Sequence, residues 1–280
     1  MPQLSFCDLN LKKMKNRYCI ALDLDGTLLD SQKNISERNL NALFQAQEEG
    51  SRLVIASGRC VQGIQRIADQ LKLSQYGGFL LAYNGGILQE CSTGKILHED
   101  TLPEEKIPYL YECGQREGLC NVSYIDGQVV TEQPDNPYVK YLSNANGLPI
   151  RQVECFLDAI HKPLNKCLIV GEPEKLQVLE VEMKEHLGSE MNVTRSEPFL
   201  LELLPPGVDK ASCLAELLEY LQFSRDQLVA FGDGFNDRSM ISYAGVGVAM
   251  GNAQDVVKSV ADIIAPTNDE SGVAQILEKL

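Results

Sequence analysis

The sequence predicts an α/β protein, a parallel-sheet core interrupted by an inserted α+β domain. Three observations carry that reading. Short apolar strands alternate with helical stretches from Tyr18 to Asn84; the segments then shorten around a hairpin signal, Asp126-Gly127; and the alternation resumes from Gly207. Strand and helix alternating at these spacings suit right-handed crossovers between parallel strands, a Rossmann-like sheet built from both ends of the chain.

Taken in order, YCIALDL (residues 18–24) is an apolar run of the kind a strand buried on both faces shows. A helix is expected from the N-cap candidate Ser36 to Glu49, stopped by Gly50. Strands RLVIAS (52–57) and FLLAYN (79–84) flank a helix over 60–71. Helices near 103–117 and 172–187 are interleaved with the hairpin NVSYIDGQVVT and the strand KCLIV (166–170), an α+β pattern. A helix over 208–221 and the strand QLVAFGD (227–233) restart the core pattern, followed by a helix near Asn236, the strand-like GVGVAM (245–250), DIIA and a closing helix. The expected division is a core of residues 17–85 and 201–280, an insert of 86–200 and an N-terminal extension of 1–16.

Composition narrows the function. The 280 residues are 44% hydrophobic and 23% charged, enough for a sizeable core. A formal charge of -14 argues against nucleic acid or an anionic membrane as the partner, yet leaves small anionic substrates open, since a metal and local donors reverse the field within one pocket. Nine cysteines without a Cys-x-x-Cys pair read as reduced thiols in a cytoplasmic protein. No run approaches the length of a membrane span, which argues against a membrane-embedded pump, and MPQLSFCDLNLKKMKNR lacks a signal-peptide core. Oligomeric state leaves no trace.

The chemistry concentrates at strand ends, where open α/β sheets bind ligands. Asp23-Leu24-Asp25-Gly26-Thr27 closes the first strand, with two carboxylates two residues apart on one side of it. Such crowding is relieved by a divalent cation. Phe231-Gly232-Asp233-Gly234-Phe235-Asn236-Asp237 again follows an apolar strand, and Asp23, Asp233 and Asp237 form an oxygen set suited to magnesium. Ser57 and the amide of Gly58, at a predicted helix start, can donate to a phosphate oxygen. Lys210 lies near a helix start, contrary to the helix dipole, which hints at a second task such as neutralising phosphate.

These four strings, in this order, resemble the four motifs of the haloacid dehalogenase superfamily of phosphatases. The long insert and Asn84-Gly85-Gly86 before it are similar to the Cof-type branch, whose α+β cap follows the third strand. The resemblance spans residues 18–280, tight in the core and loose in the cap. It implies Asp23 as the nucleophile, Asp25 as general acid/base with its backbone carbonyl on the metal, and Thr27 orienting Asp25. It further implies Ser57, Gly58, Lys210 and Asn236 on the phosphoryl group, and Asp23, Asp25, Asp233 and Asp237 around Mg²⁺. Phe235, where many relatives carry a polar residue, and Ala211, where glycine is common, depart from the pattern and bear on substrate preference.

The expected activity is magnesium-dependent hydrolysis of small phosphorylated metabolites, sugar phosphates or phosphorylated cofactors and their precursors. A sugar phosphomutase and a non-catalytic phosphometabolite-binding protein are the alternatives; retention of all four aspartates weighs against the second. His98, His161 and His186 show no ligand pattern, and residues 245–251 lack the Gly-x-Gly-x-x-Gly spacing. Residues 266–269 are placed near the same sheet edge, and Tyr124, Arg151 and Arg195 are cap positions open to substrate contact, with a plain surface role the default.

Overall fold

A computed structural model describes residues 17–280; the extension expected at 1–16 lies outside the described residues. The first strand, β1 (Cys19–Leu22), is wholly buried and is followed by α1 (Glu37–Glu48). Ser36 caps α1 by accepting from the Asn39 amide, as its position ahead of the helical pattern predicts. Then come β2 (Arg52–Ala56), α2 (Val61–Gln70), the short α3 (Leu73–Tyr76) and β3 (Phe79–Ala82). A tight turn over Tyr83–Gly85 returns the chain into β4 (Ile87–Glu90) and β5 (Ile96–Glu99).

The second stretch carries α4 (Ile107–Arg116), the hairpin β6 (Cys120–Ile125) and β7 (Gln128–Thr131), α5 (Pro137–Asn146), β8 (Ile150–Gln152), β9 (Cys167–Val170), α6 (Pro173–Leu187), β10 (Asn192–Glu197) and β11 (Leu200–Leu204). Asp126 and Gly127 both take positive φ, 51° and 71°, the backbone that a two-residue hairpin turn requires. The chain closes with α7 (Lys210–Leu221), β12 (Leu228–Gly232), α8 (Arg238–Tyr243), β13 (Val246–Ala249), α9 (Asp255–Lys258), β14 (Ile263–Ile264) and α10 (Gly272–Leu277).

Two compact units result. The first, residues 17–58, 64–98 and 209–280, holds an eight-stranded sheet in the order β14-β13-β12-β1-β2-β3-β4-β5. Strands β1, β2, β3, β12, β13 and β14 run parallel, and β4 is antiparallel to β3. The strand order reverses at β1 and β12, so the crevice at their carboxyl ends is the place where such sheets bind ligands.

The second unit, residues 59–63 and 99–208, holds a sheet ordered β10-β11-β9-β6-β7-β8, mostly antiparallel. Its own apolar core joins Cys167, Ile169, Leu201 and Leu203 of the sheet to Leu110 of α4 and to Leu176, Leu179 and Met183 of α6. Apart from the short excursion of residues 59–63, the chain passes between the units at 98/99 and 208/209, against the boundaries expected at 86 and 200. The reason is strand pairing: the Tyr83–Gly85 turn keeps β4 in the first sheet, while β11 pairs with β9 and β10 in the second.

Candidate active site

Because β1 and β12 are parallel neighbours, Asp23 and Asp233 leave the sheet at one edge. The Asp23 amide still donates to the Phe231 carbonyl at 3.0 Å, prolonging the ladder by one residue. Ser57 leaves β2, the strand on the other side of β1. It is buried, with its amide on Leu81 O and its carbonyl accepting from the Asn84 amide. Helix α2 begins only at Val61, so Ser57 is a strand-end residue and not the helix cap that its sequence context suggests.

Lys210 arrives from the first turn of α7 and is fully buried. Its ammonium donates to Asp23 Oδ1 at 2.7 Å, Asp237 Oδ1 at 2.5 Å and the Ala56 carbonyl at 2.8 Å, which uses all three of its hydrogens. Asp237 is equally buried; its Oδ2 accepts from the amides of Asp233 and Gly234, both at 2.9 Å. Asp237 therefore shapes the loop that carries Asp233 as well as holding Lys210.

The turn after β1 presses against that loop. Gly26 has φ +85°, and a Cβ there would lie 2.4 Å from Asp233 Oδ2, so a side chain would be strained and would displace that carboxylate. The Thr27 hydroxyl donates to Asp233 Oδ1 at 2.7 Å and so orients Asp233. The Asp25 carboxylate is half exposed and paired with Lys33 at 2.8 Å. It is not among the three carboxylates that converge.

Those three are Asp23, Asp233 and Asp237, each offering an oxygen within 4.8 Å of the others. Lys210 brings one positive charge to these three carboxylates, and the electrostatics show the cost. Burial first, then the Asp237 charge, push the Asp23 carboxyl up to about 8 against the pull of Lys210. Burial lifts Asp233 to about 6 although Thr27 donates to it. Burial would lower the Lys210 ammonium, but Asp23 and Asp237 outweigh it and hold it above its ordinary value. An all-oxygen set with surplus negative charge fits a hard divalent cation.

Asn84 ties the strings together, a role that sequence reasoning missed. Its Oδ1 accepts from Asn236 Nδ2 at 2.9 Å and lies 3.1 Å from where a Cβ on Gly58 would stand. Positive φ at Tyr83 and Asn84 marks this strained turn, but an asparagine in a turn carries no spacing that reveals it. Phe235, between Gly234 and Asn236, is 65% exposed. The loop expected near the edge does reach it: Asn268 Nδ2 donates to Leu29 O at 2.8 Å. In the second unit, Arg195 pairs with Glu180 of α6 and the Tyr124 hydroxyl accepts from Asn146.

Comparison with known proteins decides the family. The family model described as haloacid dehalogenase-like hydrolase matches residues 20–277. The chain belongs to the haloacid dehalogenase-like hydrolases. This hydrolase is 46% identical to a solved haloacid dehalogenase-like hydrolase from Bacteroides thetaiotaomicron, with a TM-score of 0.92 over 94% of this chain and 99% of that one. It is 31% identical to the Bacillus subtilis 5-amino-6-(5-phospho-D-ribitylamino)uracil phosphatase YcsE, covering 92% of this chain and 93% of the relative. It is 30% identical to the Escherichia coli pyridoxal phosphate phosphatase YbhA, covering 92% and 96%. The hydrolase is a member of the Cof-type branch and a phosphoric monoester hydrolase. Among its described residues no helix is long and apolar enough to cross a membrane.

Proposed function

We propose that this hydrolase is a magnesium-dependent phosphatase of small phosphorylated metabolites, working through an aspartyl phosphate on Asp23. The observation that carries the reading is the buried Asp23–Lys210–Asp237 chain beside Asp233, a nucleophile candidate held between a cation and a metal-suited carboxylate. Asp23, Asp233, Asp237 and the Asp25 carbonyl would hold Mg²⁺, which when bound neutralises charge on the transferring phosphoryl group.

The remaining work falls to the chain's own groups. The Asp23 carboxylate attacks phosphorus in line as the bond to the leaving oxygen breaks. Lys210, the Ser57 hydroxyl, the Gly58 amide and the Asn236 amide bind the phosphoryl oxygens, so Lys210 exchanges part of its present bonding for substrate. Asp25 protonates the leaving alcohol, then takes a proton from the water that cleaves the aspartyl phosphate. Its exposed position beside Lys33 suits a group that must exchange protons with solvent.

The second unit serves as the cap that selects the substrate. Relatives acting on pyridoxal phosphate and on a ribitylaminouracil phosphate support phosphorylated cofactors or their precursors, with sugar phosphates in the same size range. A cytoplasmic location belongs to the same reading and is supported by nine cysteines spaced without a Cys-x-x-Cys pair. The test is phosphate release from a panel of phosphometabolites, with magnesium and with a chelator, beside Asp23→Asn. Release that disappears in both controls is expected. Turnover that survives the chelator or the substitution contradicts the reading.

A further inference from the structure

The segment between β13 and α9 holds both sides of the acidic site at once. Asn252 Nδ2 donates to the Gly26 carbonyl at 2.7 Å, and the Gln254 amide donates to the Asp233 carbonyl at 3.1 Å. Between the two backbones so held, a Cβ on Gly26 would stand 2.4 Å from Asp233 Oδ2, and the Thr27 hydroxyl donates to Asp233 Oδ1. The groups that fix these two backbones therefore set the spacing between the turn after Asp23 and the Asp233 carboxylate.

Asn252 is itself fixed. Its Oδ1 accepts from the Asn268 amide at 3.1 Å, and Asn268 Nδ2 holds Leu29 O. Asp269 Oδ1 accepts from the Ser31 amide at 2.8 Å. The segments after β13 and β14 thus grip the chain from Gly26 to Ser31 at three points. Asn252 is an exposed side chain, and packing alone gives no reason for an amide there to bridge two loops. The turn it holds carries two of the residues expected around the metal.

We propose that Asn252, braced by Asn268, is a positioning residue for the divalent-cation site, holding the Gly26 carbonyl so that the turn after Asp23 keeps its place against Asp233. The inference rests on the metal-dependent reading above. It goes beyond that reading by assigning the site's geometry to two asparagines whose side-chain amides bond backbone carbonyls beside the cluster.

The test is Mn²⁺ binding to the full-length protein without substrate, followed by the electron paramagnetic resonance of the free ion. Groups that orient metal ligands are worth about 10- to 100-fold in affinity, so Asn252→Ala is expected to bind Mn²⁺ about tenfold more weakly or worse, and Asn268→Ala to shift the same way. The cation-free thermal midpoint of Asn252→Ala is expected to stay near wild type, because the side chain is exposed. Wild-type Mn²⁺ affinity in both folded variants overturns the inference, whether or not their midpoints fall. Should Asn252→Ala fail to fold, Asn252→Ser decides by the same criterion. A wild-type protein that binds no Mn²⁺ overturns the metal-dependent reading itself and this inference with it.

Discussion

Lys210 stands in the first turn of α7, where the helix dipole disfavours a cation, and its burial with Asp23 and Asp237 explains why it is there. The ammonium is the counter-ion of a site with more carboxylates than cations. Removing one partner of a buried ion pair costs about 3–5 kcal/mol. Lys210→Met is accordingly expected to lose stability of that order in cation-free denaturant unfolding, and to lose turnover; a wild-type denaturation midpoint would refute the counter-ion role. Gly26 makes a second prediction. Left-handed backbone costs a non-glycine residue about 1–2 kcal/mol, and the Cβ of Gly26→Ala would also displace Asp233. The variant is expected to show weakened cation binding together with lower stability, checked by calorimetric titration with Mg²⁺. Residues of this kind were legible in the sequence only where a string marked them. Asp23 and Asp233 stood at strand ends; Asn84 and the 266–269 loop were marked by position, but the hydrogen bonds that Asn84, Asn252 and Asn268 make between loops follow from no spacing.

The elements that position the site were legible for a physical reason: β1, β2 and β12 are buried on both faces and so read as unbroken apolar runs. The strands β4 and β5 fall inside the expected insert, because the segments shorten from Gly86 and the resemblance places the cap after Asn84-Gly85-Gly86. Helix α5 was overlooked although Asn136 caps it and Pro137 opens it, a start signal present in the sequence. Where the loops after β1 and β12 converge, burial shifts two carboxyls in the same direction. Asp23 and Asp233 both sit above the ordinary carboxylate value of 3.8, so the folded state binds their protons more tightly than the unfolded chain does. Cation-free stability is therefore expected to fall as pH rises from near 4 to about 8 and to level off above. Lys210 adds no slope in that window, being charged in both states. A divalent cation must displace those protons, so its affinity rises with pH over the same range. Cation-free melting midpoints that rise between pH 5 and 8, in steps of about one unit, would contradict the assignment.

At the scale of the whole molecule, two units with separate cores divide the labour. The acidic cluster, Lys210, Ser57, Gly58, Asn84 and Asn236 all belong to the first unit, while the second has its own apolar core between sheet and helices. Ligands stabilise the part that binds them. Magnesium with orthovanadate is expected to increase hydrogen-exchange protection around β1 and β12 more than in β9 and β11, and equal protection of both would oppose a site built within the first unit. The central claim is the covalent step at Asp23. It is tested most directly by acid-quenching the enzyme during turnover and mapping phosphoryl-bearing peptides by mass spectrometry. The account predicts a phosphoryl group on Asp23, removed by hydroxylamine and absent from Asp23→Asn. A phosphoryl group on another residue, or on Asp23→Asn protein, would contradict it.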